Sequence, residues 1–206
     1  MFISFEGVDG SGKSTQVTLF IEYLKKMKKE FLLIREPGGT KAGEDIRSIL
    51  LHLEYKLFPE TELLLFMASR SQIVREIIMP ALKEDKIVVA DRFLDSSLAY
   101  QGFGRGLDIE MVRRLNNLAT GGLVPDLTFL IDVPLEEAAK RKQAQEKNDK
   151  IEMESLDFFR RVREGYLEIA KAEPERVKVL NGLNDIELIH SEIVKIFEVF
   201  FRKRAR

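Results

Sequence analysis

Short apolar runs rich in β-branched residues alternate along the chain with longer stretches whose apolar positions recur at helical spacing. "FISF" is followed by a helical pattern over 13–29, "EFLLI" by patterns over 40–53 and 60–84, and "IVVAD" by one over 95–121. "LTFLID", a helical pattern from 134, "RVKVL" and a last helix from about 185 complete the series. Runs that are apolar at every position suit strands buried on both faces. Their alternation with helices predicts an α/β fold, a mostly parallel sheet with helices on both sides. Ligands of such sheets bind beyond the carboxyl ends of the strands. Function is therefore expected in Glu6 to Thr15, Arg35 to Thr40, Asp91 to Gln101, and from Asp132 onward. The segment 140–155, "KRKQAQEKNDKIEMES", is low in apolar residues and reads either as a solvated helical surface or as a mobile basic lid.

Composition narrows the function classes. With 206 residues, 45% of them hydrophobic, the chain can bury one sizeable core, so a single domain over 1–206 is expected, with a lid at about 140–152. Lys and Arg number 33 against 34 Asp and Glu, so no global field recruits nucleic acid or a membrane. The absence of cysteine excludes disulfides, thiolate metal sites and a cysteine nucleophile. "MFISFEGVDG" lacks a basic leader and an apolar stretch of signal length, and no run is long enough to span a bilayer, which predicts a cytoplasmic location. His52 and His190 read as surface or helix residues, and the terminal "RKRAR" as cations at a helix C-terminus.

The strongest chemical signal is "FEGVDGSGKSTQ". Gly7, Gly12, Lys13 and Ser14 fit G-x-x-x-x-G-K-[ST] between a strand and a helix, with Val8, Asp9, Gly10 and Ser11 as the interior of the loop. In that context successive backbone N–H groups turn inward and cradle phosphates. Lys13 would reach the β and γ phosphates, the Ser14 hydroxyl would coordinate Mg²⁺, and Thr15 would either cap the helix or meet the α-phosphate. ATP or GTP is implied. No Asn/Thr-Lys-x-Asp element reads guanine, which disfavours a GTPase switch. Asp9 is the unexpected member, because it puts a carboxylate beside a triphosphate.

Further along, Asp91 ends a buried strand where it can hold the Mg²⁺ shell, and Arg92 can fork onto an acceptor phosphate; the alternative is that the two simply pair. Asp132 is a rival metal carboxylate with nothing basic after it. "IREPGGT" leads from Arg35 through a Pro-Gly-Gly turn toward Arg47. Phe66 and Arg70, four residues apart on one helix face, suit a planar base, although a core role for the phenylalanine is the simpler reading. Ser97, Tyr100 and Gln101 in "DSSLAYQG" can address a sugar or base edge, or else mark a helix start capped by Asp95 or Ser96.

Together these segments resemble the bacterial thymidylate kinases, from "FEGVDGSGKSTQ" through "REPGGT", "LLFMASRSQ", "DRFLDSSLAYQG" and "LVPDLTFLIDV" to "RVREGYLEIA". The pairing of "REPGGT" with DR-x-x-x-SS-x-AYQG is specific to that family. The resemblance implies a three-layer sandwich of the P-loop NTPase type, with five parallel strands, helices on both sides and a short lid. It also implies transfer of the ATP γ-phosphoryl group to dTMP with Mg²⁺, and a homodimer to which the segment 63–82 could contribute. Arg92, Arg47 and Arg35 would hold the dTMP phosphate. Phe66 would stack on thymine, Arg70 would bond its O4, and Ser97 and Gln101 would lie near its edge. Tyr100 would crowd a ribose hydroxyl, Glu36 would act through water or Mg²⁺, and Asp9 would accept a hydrogen bond from the 3′-hydroxyl. Eukaryotic members place a catalytic arginine inside the phosphate loop, where this chain has only Val8, Asp9, Gly10 and Ser11. Bacterial members usually bring it in a D-R-I-E lid sequence. Here Lys150 stands at that place, with Arg141, Lys142 and Lys147 nearby, so Lys150 is expected to neutralise transition-state charge and Arg141 to lie over the adenine. Competing readings are a deoxynucleoside kinase, a kinase for another monophosphate, and an ATP-binding module without an acceptor.

Overall fold

A computed structural model of the chain describes residues 1–51, 56–143, 151 and 154–204. Five strands, β1 (Phe2–Glu6), β2 (Phe31–Arg35), β3 (Ile87–Asp91), β4 (Leu127–Asp132) and β5 (Val177–Asn181), form one sheet in the order β2-β3-β1-β4-β5. Every neighbouring pair is parallel. Parallel neighbours require crossovers, and helices supply them: α1 (Lys13–Lys26), α2 (Lys41–Leu51), α3 (Pro59–Ile73), α4 (Met79–Lys83), α5 (Leu94–Ser97), α6 (Ile109–Thr120), α7 (Leu135–Gln143), α8 (Leu156–Ala172) and α9 (Ile186–Arg204). This is the expected three-layer α/β sandwich of the P-loop type.

Strand side chains alternate between the sheet's two faces. Ile3, Phe5, Val89, Phe129 and Ile131 pack with Phe20, Ile193 and Phe197 of α1 and α9. Phe2, Val88, Ala90 and Leu130 pack on the other side with helices that include α3, α6 and α8. Buried polar side chains join the strands to one another and to that second layer: the Ser4 hydroxyl of β1 and the Thr128 hydroxyl of β4 lie 2.7 Å apart, and Glu6 accepts the Phe93 backbone N–H at 2.8 Å.

Two long helical patterns are broken. The pattern over 60–84 becomes α3, a π-helical turn at Val74–Ile78, and α4. Pro80, in the first turn of α4, has no N–H and its ring crowds the preceding turn, which is where a wider turn relieves the clash. The pattern over 95–121 is two helical segments. α5 runs into a π-helical stretch, Leu98–Gly104, and α6 starts afresh, the Asp108 carboxylate accepting the Met111 N–H at 2.6 Å. The expected cap at Asp95 or Ser96 is absent because α5 already begins at Leu94. Asp95 instead receives Arg176, and Ser96 donates to Glu6.

Candidate active site

Register puts the strand ends side by side. Phe5 and Arg35 both align with Asp91, and the backbone N–H groups of Arg92 and Glu36 donate to the Phe5 and Asp91 carbonyls at 3.0 and 3.2 Å. The loop from Gly7 to Gly12 leaves β1 directly above this row. Its interior closes on itself, the Ser11 backbone N–H donating to the Val8 carbonyl at 3.1 Å. The Ser11 side chain is 1% exposed, and its hydroxyl has no hydrogen-bond partner among the described residues. Gly10 has φ +82, and a Cβ there would come within 2.3 Å of the Ala138 carbonyl, so the loop can lie against α7 only with glycine at that place. Gly12, also left-handed, turns the chain into α1, whose N-terminus carries Lys13 and Ser14.

Two cavities open here. The larger, about 600 Å³, is lined by Val8, Asp9, Gly10, Ser11, Gly12, Lys13, Ser14, Thr15 and Gln16, by Arg141, and by Gly182, Asn184, Ile186 and Ile189. A helix N-terminus beside a buried lysine favours negative charge in this cavity. Burial, followed by the nearby Arg92 charge, lowers the pKa of Lys13; the Lys13 ammonium meets Asp91 directly. Arg141 donates to Glu137 at 2.8 Å and to the Gly182 carbonyl at 3.1 Å, which holds it at the rim.

The second cavity, about 240 Å³, is lined by Asp9, Lys13, Ser14, Arg35, Glu36, Pro37, Arg47, Leu51, Phe66, Asp91, Arg92, Ser96, Tyr100, Gln101 and Ile151. Arg92 sits at its centre with φ +71, a left-handed conformation rare outside glycine. Its Nη2 donates to Asp9 at 2.7 Å, its Nη1 to Ser96 and Tyr166 at 3.3 and 3.1 Å, and its guanidinium lies 5.1 Å from the Tyr100 ring centre. Beneath it, fully buried Glu6 accepts from Ser96 at 2.6 Å and Tyr166 at 2.8 Å. Burial, with Asp95 nearby, raises the Glu6 pKa to about 7. Burial likewise raises that of Tyr100, whose hydroxyl is 3.4 Å from Asp9. Arg47 donates to the Pro37 carbonyl at 2.9 Å, so its guanidinium returns to the strand ends as its spacing suggested.

Arg70 and Ser97 do not reach the cavity surface. Arg70 is 1% exposed and every guanidinium nitrogen is engaged: Nε with Glu36 at 2.7 Å, Nη1 with Ser97 at 2.8 Å and Asn116 at 2.6 Å, and Nη2 with the Phe93 carbonyl at 3.0 Å. Expected at the thymine O4 and near the base edge, Arg70 and Ser97 form in this structure a buried bracket behind the wall, where a guanidinium with five donors is satisfied by the oxygens that α5, α6 and the turn after β2 bring to it. The bracket holds one oxygen of Glu36. The other, Oε1, is buried without a hydrogen-bond partner among the described residues, and burial raises the Glu36 pKa against the pull of Arg70.

A hard divalent cation is held by oxygen ligands and keeps several for water and substrate phosphate. The Ser14 hydroxyl and the Asp91 carboxylate both line the second cavity beside the loop, and this donor set suits Mg²⁺. No cluster of three or more His, Cys, Asp or Glu suited to a metal occurs among the described residues. Asp132 is committed elsewhere, accepting Arg163 through both oxygens at 2.7 and 2.8 Å, so the basic partner that sequence proximity did not supply comes from α8. Lys147, Lys150, His52 and the side chain of Lys142 lie outside the described residues. His190 lies on α9, partly buried. Sequence reading missed Glu6, Ser96 and Tyr166 as the support of Arg92, and Gly182, Asn184 and Ile186 as part of the larger cavity. The last three follow the fifth strand, where the strand-end rule pointed. Glu6 was signalled by a charge closing an otherwise uncharged strand.

Comparison with known proteins agrees with this geometry. The family model described as Thymidylate kinase matches residues 5–193. A thymidylate kinase of Kosmotoga olearia is 66% identical over 203 residues, covering 98% of each chain, and one of Caldanaerobacter subterraneus subsp. tengcongensis is 49% identical over 98% of this chain and 96% of its own. The crystal structure of thymidylate kinase from Ehrlichia chaffeensis superposes with a TM-score of 0.78 at 40% identity, covering 96% of this chain and 98% of that one. With a phosphate loop opening onto paired cavities, and with this similarity running the length of the sheet, the chain belongs to the thymidylate kinase family.

Proposed function

We propose that the larger cavity takes ATP, the smaller takes dTMP, and the γ-phosphoryl group passes directly between them to give dTDP. The observation that carries this reading is a shared wall: Asp9, Lys13 and Ser14 line both cavities, so two phosphates bound from opposite sides meet there. The acceptor oxygen is already anionic at neutral pH, and no nucleophilic side chain is needed. The work left to the protein is alignment and charge neutralisation.

Lys13 leaves Asp91 for the β and γ phosphates as ATP enters, and the backbone N–H groups of the loop through Gly10, Ser11 and Gly12 take the remaining phosphate oxygens. Arg92, held from below by Ser96 and Tyr166, grips the dTMP phosphate together with Arg47 and Arg35. Phe66 stacks on the base, Gln101 lies at its edge, Asp9 accepts the 3′-hydroxyl, and Tyr100 occupies the space a 2′-hydroxyl would need. Mg²⁺, held by Ser14 and Asp91, would neutralise charge on the phosphates. Glu36 offers its unpartnered Oε1 to ordered water beside the acceptor. Arg141 covers the adenine, and Lys150, by its place in the lid sequence, supplies the transferring group with a cation. If Lys150→Ala left turnover unchanged, that last assignment would fail.

No helix among the described residues is long and apolar enough to cross a membrane. We place the enzyme in the cytoplasm as a homodimer. In the segment 63–82, Leu63, Met67, Ile73, Val74, Ile78 and Ala81 are spent on the core, while Leu64 is 56% exposed and, with Met79, remains for a partner copy. Sedimentation at micromolar concentration tests the dimer.

The central experiment is ADP release from ATP and Mg²⁺ with dTMP, dUMP, UMP, dCMP, AMP, GMP or thymidine, against an acceptor-free blank. Preference for dTMP, with dUMP weaker and UMP nearly inert, is expected. Preference for thymidine would indicate a nucleoside kinase. Release independent of acceptor would leave only the ATP half of the reading.

A further inference from the structure

Behind the acceptor cavity, and not on its surface, lies a partly buried ion pair that the phosphoryl-transfer chemistry does not use. Glu62 of α3 is 3% exposed and faces Gln101, which is 1% exposed and lines the cavity. The Gln101 Nε2 donates to Glu62 Oε1 at 2.9 Å. Arg105 grips the same carboxylate from the far side, Nε to Oε1 at 3.1 Å and Nη2 to Oε2 at 2.9 Å, while its Nη1 reaches Glu154 at 2.6 Å. The Arg105 guanidinium also lies 4.7 Å from the Phe158 ring centre.

We infer that Glu62 and Arg105 are positioning residues that fix which end of the Gln101 carboxamide faces the acceptor, and so make the pocket select a pyrimidine carrying a proton on N3. An amide offers a donor at one end and an acceptor at the other, and its orientation is ordinarily ambiguous. A carboxylate only accepts, so Glu62 takes the amide by its nitrogen, and the oxygen is left for the cavity. Arg105 holds both Glu62 oxygens and prevents the carboxylate from turning away. Thymine and uracil bring an N3–H donor to such an oxygen. Cytosine brings a bare N3, which would leave two acceptors facing each other in a buried site. The Arg105 contact with Glu154 extends the brace to the chain beside Ile151, another wall of the same cavity. The inference rests on dTMP being the acceptor.

Glu62→Gln keeps the shape but can both donate and accept, which releases the amide from a single orientation. We expect the ratio of kcat/KM for dTMP to that for dCMP to fall on the order of 10-fold, through KM, with kcat for dTMP within about 2-fold of the parent. On a Gln101→Met background the same change should leave the ratio unmoved, because the group being oriented is gone. Arg105→Lys, which keeps the charge and loses the fork, should move the ratio in the same direction and serves if Glu62→Gln does not melt as a folded protein. An unchanged ratio in a folded variant, or an equal fall on the Gln101→Met background, overturns the inference and leaves the acceptor assignment standing. A parent enzyme with no preference for dTMP over dCMP overturns both.

Discussion

The Nη2 of Arg92 donates to Oδ1 of Asp9 across 2.7 Å, tying the end of β3 to the phosphate loop and setting a cation of the second cavity against an acid that lines both cavities. The left-handed backbone of Arg92 turns its side chain into the cavity, and three further groups, Ser96, Tyr166 and the Tyr100 ring, hold it there. Arg92→Lys retains a charge but cannot fork onto a phosphate. Its kcat/KM for dTMP should fall ~100-fold while the KM for ATP stays nearly constant, as steady-state kinetics with each substrate varied would establish.

Tyr100 lines the cavity wall against both Arg92 and Asp9. Tyr100→Ala opens that space, and the rate with UMP relative to dUMP should rise ~10-fold. Parallel assays of the two acceptors give the ratio directly, and an unchanged ratio would remove Tyr100 from sugar selection.

Arg70 and Glu36 form a buried pair, the arginine being 1% exposed. Arg70→Met leaves the buried Glu36 carboxylate without its cation, and urea unfolding should show a loss of ~3–5 kcal/mol. A loss under ~1 kcal/mol would mean that the pair is no more than a surface ion pair in effect.

Glu6 makes stability depend on pH. Burial raises its pKa from 4.5 to about 7, so between those values the folded protein holds a proton that the unfolded chain has released. The associated stability is complete below the ordinary value and is lost as pH rises through the folded one, ~3 kcal/mol in all. Between pH 5 and pH 8 the urea midpoint should fall for the parent and change less for Glu6→Gln, which stays neutral throughout. Identical changes in the two proteins would show that another group carries the dependence.

Chelation of the divalent cation should stop ADP release without shifting the urea midpoint, since Ser14 and Asp91 lie at the cavity surface and not in either packed core. Restored activity on adding Mg²⁺ completes the test. A midpoint that drops with EDTA would instead point to a metal that holds the fold.

The strands and the phosphate loop were legible from the chain alone because their causes are local. A doubly buried strand must be mostly apolar, and a loop that wraps phosphate must carry glycine where Gly7, Gly10 and Gly12 adopt positive φ. Lys13, Asp91 and Arg92 could likewise be named in advance, since each ends or follows an element that the pattern of apolar residues had already marked. What pairs with each charge could not be read in this way. Asp132 looked free until Arg163 arrived from α8, Arg70 meets Glu36 and Asn116 from two other parts of the chain, and Arg92 rests on Tyr166, which reaches Glu6 160 positions away. A hydrogen bond depends on the separation and direction of two atoms, and for partners on different strands and helices only the packing of the sheet against its two helical layers determines either.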